Sequence, residues 1–132
     1  MATWFIRSPY RTRSWAKVLM QGQLHLTGLR SPAARATLAA MHPCDEAWFC
    51  FQRQLWGVLQ VAAPATPDPT ADSDTGWLAV HLEPLRTLLH PMQLAALREV
   101  AAFADSAILR QPRLSVVRLS EAQAAALTDL TK

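Results

Sequence analysis

The spacing of apolar and polar positions changes several times along the chain, and each change marks an element. Thr3 to Arg7 (TWFIR) is short, aromatic and β-branched, which predicts a strand stopped by Ser8-Pro9. Ser14 can cap a short helix to about Met20 with Trp15, Val18 and Leu19 on its apolar side, and Gln21-Gly22 ends it. Ser31 and Pro32 then make a second helix start. Ala34, Leu38 and Met41 follow at helical spacing toward a core, and His42-Pro43 closes the run. Glu46 to Gln52 (EAWFCFQ) and Leu55 to Val61 (LWGVLQV), parted by Arg53-Gln54, read as an antiparallel hairpin. Gly57 inside the second strand predicts a bulge or a close approach.

Ala62 to Gly76 (AAPATPDPTADSDTG) has the composition of a long loop. Trp77 to Leu82 returns to a strand pattern that Leu85 to Leu89 can continue. Met92 to Phe103 has helical period, with Leu94, Leu97 and Ala101 on one face and Val100 beside them. Arg113 to Leu119 (RLSVVRL) reads as the last strand, and Ser120 with Glu121 starts a last helix. Strands that follow one another without crossover helices argue for an α+β fold, with a mostly antiparallel sheet or small barrel and helices packed outside.

The chain has 132 residues, 51% of them hydrophobic and 17% charged, which suits one domain over residues 1–132 with a real core. Net charge is +3, and eleven of the thirteen basic residues are arginine, whose planar fork suits phosphates and base edges. Abundant Ala, Leu and Pro point to a GC-rich genome as the main source of that bias, so the charge permits nucleic-acid binding without demanding it. Cys44 and Cys50 form no CxxC pattern, and Cys50 reads as core. The start lacks an apolar signal segment and no run is long enough to span a membrane, so a reducing cytoplasm is the expected location.

No catalytic set emerges: the chain has no GxSxG, HExxH or glycine-rich phosphate loop, and no paired acid and base. His25, His42, His81 and His90 lack ligand spacing. His42 reads as a helix-end residue and His81 as a satisfied sheet residue. Asp72 to Gly76 resembles a calcium loop, but its glycine comes one place early and no glutamate follows. No catalytic residue, metal or cofactor is therefore expected. Trp4 and Trp77 read as core, while Arg35 and Arg118 read as solvated. Arg30 and Arg113 divide between bonds to loop carbonyls and ligand contact, and Ser31 is first a helix cap.

Five segments in order resemble the EVE domain family of the PUA-like superfamily. They are WFIRSP, TGLRSPAARATLAAM, DEAWFCFQ, GVLQVAAPATPDPTA and LRQPRLSVVRLS. The resemblance implies a PUA-like, mixed but mostly antiparallel pseudo-barrel of five to six strands with surrounding helices. It also implies a pocket for a flipped, modified base of DNA or RNA, such as a methylated cytosine. By carry-over, Gly28, Leu29, Arg30 and Ser31 form one wall, while Arg7, Ser8, Phe51, Gln52, Arg113 and Ser115 approach from the other strands. The chain departs from the family pattern at Leu26 (tryptophan in the family), Ser31 (asparagine), and Cys50, Phe51 and Gln52 (Tyr-His-Ser). A second expectation follows: a protein-interaction domain that kept the scaffold and lost the pocket.

Overall fold

A computed structural model describes residues 1–8, 13–72 and 74–132. Pro9 and Ser73, which the sequence reading places at a strand stop and in the calcium-like loop, lie outside the described residues. In chain order the elements are β1 (Thr3–Arg7), α1 (Trp15–Gln21), β2 (Leu24–Leu26), α2 (Pro32–Ala39), β3 (Glu46–Phe51), β4 (Gln54–Val61), β5 (Thr66–Pro67) and β6 (Leu78–Gln93). Two 3₁₀ turns follow at Leu94–Glu99 and Ala101–Phe103, then α3 (Ala107–Arg110), β7 (Val116–Leu119) and α4 (Glu121–Leu130). The sheet runs β2-β6-β4-β3-β1-β7, with β5 paired to β6, and it curls into a half-barrel. The ladders are antiparallel except for β1 with β3, which run parallel in the register Thr3 to Glu46 through Arg7 to Cys50.

The sheet is covered on both faces, which explains why its central strands read as continuous apolar runs. Alternate side chains divide between two cores. Trp4, Ile6, Ala47, Phe49, Leu59 and Val61 point to one, with Trp15 and Val18 of α1, Leu24 and Leu26 of β2, and Leu38 of α2. Phe5, Trp48, Cys50 and Val58 point to the other, with Leu94, Leu97, Phe103, Ile108 and Leu127.

Gly57 separates Phe49 of β3 from Thr87 of β6 in one cross-strand row, and the Trp15 indole lies over it. The ring sits 5.4 Å from the Phe49 ring and donates its N–H to the Thr87 hydroxyl at 3.0 Å. The close approach predicted at Gly57 is therefore made by a side chain from another element, and the ladder also shifts register there.

Helix starts follow their caps. Ser14, Ser31 and Ser120 accept from the backbone N–H groups of Lys17, Ala34 and Gln123, and Gly22 ends α1 at φ 73°. Gln123 also accepts from the Ser120 N–H, completing a reciprocal capping box. Ser120→Ala should lower the stability of the whole chain by about 1 kcal/mol, read as a shift in urea midpoint at unchanged slope.

Other expectations are corrected. Leu19 is 46% exposed, because Trp15 and Val18 alone reach the core from this seven-residue helix. Residues 92–103 form no continuous helix. Met92 still belongs to β6, two 3₁₀ turns follow, and Ala101 is exposed while Phe103 is buried. The two runs at 78–89 belong to one 16-residue strand that Trp77 precedes. β7 begins only at Val116, α2 ends at Ala39 rather than at His42, and β2, β5 and α3 were not legible.

Candidate functional site

Parallel pairing places the carboxyl-terminal ends of β1 and β3 side by side. The Ser8 N–H donates to the Cys50 carbonyl at 2.9 Å, and the Arg7 N–H donates to the Ser115 carbonyl at 2.7 Å. Arg7, Ser8, Phe51, Gln52 and Ser115 thus meet at one end of three neighbouring strands. The Arg7 guanidinium donates to the carbonyls of Ile108 (2.9 Å), Gln111 (3.0 Å) and Leu114 (2.9 Å). Its fork is therefore spent on tying the 108–114 segment to β1, which leaves few donors for anything else.

Beside this junction opens a cleft of about 1320 Å³. Arg7, Ser8, Phe51 and Gln52 line it, together with Arg53, Leu94, Arg98 and Ile108. Phe51 is half-buried, and its carbonyl accepts the Trp56 indole N–H at 3.0 Å. The β3–β4 turn consists of Gln52 (φ 52°) and Arg53 (φ 64°). A two-residue turn with left-handed backbone at both positions ordinarily uses Asn-Gly, so a Gln-Arg pair holds two long polar side chains there against its own preference. Arg113 is exposed next to Pro112, which borders the cleft.

The four remaining predicted residues lie elsewhere. Gly28 (φ 79°), Leu29, Arg30 and Ser31 form the β2–α2 loop, outside the lining of this cleft. Leu29 packs against the same core as Phe51. The loop is anchored by Asp68, 4% exposed, from the long segment after β4. One carboxylate oxygen of Asp68 accepts from the Gly28 N–H (2.8 Å) and the Arg30 guanidinium (2.5 Å). The other accepts from the Thr70 N–H (2.8 Å) and hydroxyl (2.7 Å). Burial alone would raise the Asp68 pKa, but these donors outweigh it and hold the carboxyl far below the usual carboxylate range. Arg30 thus bonds a buried carboxylate and the Thr70 hydroxyl rather than loop carbonyls.

Of the positions that depart from the family pattern, Leu26 is wholly buried opposite Val80, away from the cleft lining. Cys50 is wholly buried, and burial pushes its thiol up despite the opposing pull of Arg7, so it is no activated nucleophile. His25 and His81 form a cross-strand pair, edge to face at 4.6 Å, and His81 Nε2 is buried without a hydrogen-bond partner among the described residues. His81 is thus less satisfied than its sheet position implied. No group of three His, Cys, Asp or Glu able to hold a metal occurs among the described residues, and no described helix is long and apolar enough to cross a membrane.

Sequence reasoning missed Asp68 as the loop anchor, read Arg53 only as part of a hairpin connection, and missed Arg98. Asp68 carried a signal, since Asp-Pro-Thr is a local turn that bonds its own backbone. Its reach to Gly28 and Arg30 crosses about forty positions of sequence, and no local pattern encodes that.

Residues 2–130 match the family model described as the EVE domain. No curated protein matches the sequence. Among solved structures, the fold is similar to a Rhodopseudomonas palustris protein solved by NMR (25% identity, 99% of this chain and 93% of that one, TM-score 0.89). It is similar to human THYN1 in complex with DNA containing 5-methylcytosine (19% identity, 100% and 98% covered, TM-score 0.88). It is also similar, more distantly, to the YTH domain of Zygosaccharomyces rouxii MRB1 in complex with N6-methyladenosine RNA (10% identity, 99% and 86% covered, TM-score 0.65).

Proposed function

The chain belongs to the EVE domain family, and from that premise we propose that it is a non-catalytic module that receives a modified base of DNA or RNA. The observation that carries this reading is the junction at the ends of β1 and β3, where Arg7, Ser8, Phe51 and Gln52 border an open cleft. THYN1 and the yeast YTH domain, which share the fold, were each solved with a methylated nucleic acid. A base swung out of its stack needs a flat apolar wall and a few polar groups on its edge. Phe51 offers the wall and Gln52 a polar group, while the Ser8 hydroxyl already donates to the Arg13 carbonyl at 3.1 Å. The second wall that the family resemblance implies, Gly28, Leu29, Arg30 and Ser31, lies outside the lining of this cleft, in a loop that Asp68 holds in shape. Leu26 is buried in the core away from this cleft, and Leu29 and Phe51 pack against that same core.

The test is a titration of plain and methylated oligonucleotides at low salt, with Trp56 as the reporter beside Phe51. Methylated strands should quench or shift the tryptophan signal more tightly than plain ones. Phe51→Ala should weaken binding about tenfold or more, measured at a temperature where the variant, which also loses packing against the core, remains folded. Flat curves for every oligonucleotide would sink the proposal, and a stable protein partner without nucleic acid would favour the accessory-domain reading.

A further inference from the structure

The eleven arginines divide sharply by what they touch. Arg7 binds three carbonyls, Arg30 binds Asp68, and Arg13 donates to Gln21. Arg35, Arg86 and Arg118 lie over the rings of Trp77, Trp48 and Trp4. Arg11 lies outside the described residues. Arg53, Arg98, Arg110 and Arg113 remain, all with exposed or half-exposed side chains and none with an ion pair or side-chain hydrogen bond among the described residues.

Two of these line one cleft, and the other two adjoin its lining residues in sequence. Arg53 and Arg98 line the cleft beside Phe51, while Arg110 and Arg113 flank Leu109 and Pro112, which also line it. No carboxylate is among the described residues that line the cleft. Positive charge is thus gathered, uncompensated, along an apolar-floored groove that runs from the β3–β4 turn past the 3₁₀ turn at Leu94–Glu99 to α3.

The geometry points to this groove as a track for the phosphodiester backbone of the strand on either side of the bound base, with Arg53 and Arg98 each contacting a phosphate. Two exposed guanidinium forks in the lining, Arg53 and Arg98, suit spaced phosphates, because each fork can bind two oxygens of one phosphate. The inference rests on the base-binding reading for what the strand carries, while the backbone contact stands or falls separately.

The experiment measures anisotropy of short labelled single strands, DNA and RNA, methylated and plain, across a salt series. The proteins are wild type, Arg53→Ala/Arg98→Ala, Arg53→Lys/Arg98→Lys, and a charge-matched control, Lys17→Ala/Lys132→Ala. Each phosphate neutralised on a single strand contributes about 0.7 to the slope of log affinity against log salt. The alanine pair should therefore flatten the slope by about 1.4 and weaken binding about tenfold near physiological salt, equally for methylated and plain strands. The lysine pair should restore the slope, and the control should keep the wild-type one. An unchanged slope in the alanine pair, an equal loss in the control, or no binding of any strand would overturn the groove. If the arginine effects appear but methylated and plain strands bind alike, the base reading fails and the groove stands.

Discussion

Gly57→Ala is expected to destabilise the protein by about 3 kcal/mol, lowering its melting temperature by roughly 10 °C. A Cβ at this position would lie 2.2 to 2.6 Å from three carbons of the Trp15 indole, far inside contact distance. Gly57 does not adopt a left-handed conformation, so alanine suits its backbone. By chain entropy alone the change would stabilise by a few tenths of a kcal/mol or more. The steric term reverses that sign, because Trp15 is 4% exposed and has nowhere to go. Moving the ring breaks its contact with Phe49 and its hydrogen bond to Thr87 together. Differential scanning calorimetry of the single variants and of Trp15→Leu/Gly57→Ala checks this account. With the indole gone, adding the alanine should cost less than about 1 kcal/mol, a strong departure from additivity. Equal losses in both backgrounds would refute the steric explanation.

Asp68→Ala is the other large effect, expected at about 2 to 3 kcal/mol, since the Arg30 left behind is 36% exposed and water can reach it. The substitution strips four donors of their acceptor at once and leaves the Arg30 guanidinium beside a buried site without its counter-charge. Asp68→Asn is milder but still harmful, because one oxygen becomes an NH₂ group aimed at two donors. The sign of the pH effect follows from the direction of the shift. The folded pKa lies below the unfolded value of about 3.9, so in acid the unfolded chain binds more protons and stability rises with pH. The stabilisation is present in full above roughly pH 5 and drains away as pH falls through the unfolded value toward the folded one. Asp45 acts in the same direction. Burial alone would raise its carboxyl, yet the Trp4 indole and the backbone N–H groups of His42 and Ala2 hold it low. Urea midpoints between pH 6 and 3 should fall steeply for wild type and less steeply for Asp68→Asn, from a lower start. Parallel curves would mean that Asp68 is not the titrating group.

Asp68→Asn also separates fold from function. If Gly28, Leu29 and Arg30 form a pocket wall, loosening them should weaken methylated-strand binding at temperatures where the variant remains folded.

Much of the fold was legible because its signals are local. Ser14, Ser31 and Ser120 cap helices through hydrogen bonds that span three residues. Short aromatic and β-branched runs made β1, β3 and β4 readable. The errors share one cause. The 92–103 segment has helical period, yet its residues serve a core built by strands far away in sequence, and that packing held it to short 3₁₀ turns. β2 and β5, of three and two residues, exist only because β6 is there to pair with them.

For the candidate site the division is sharper. Residue type and order along the chain were enough to determine the family resemblance, the α+β class, the starts of α1, α2 and α4 and the residues singled out at the ends of β1 and β3. Only tertiary structure decided which arginines are occupied and which are free, since an arginine reads the same whether a carbonyl, a tryptophan ring or water meets it. Arg7 and Arg30, singled out as site residues, are tied to Ile108, Gln111, Leu114 and Asp68, while Arg53, read only as a hairpin connection, and Arg98 line an open cleft. Partners that lie tens of residues apart meet only once the sheet has curled, and that long-range closure determines where the uncompensated charge is left.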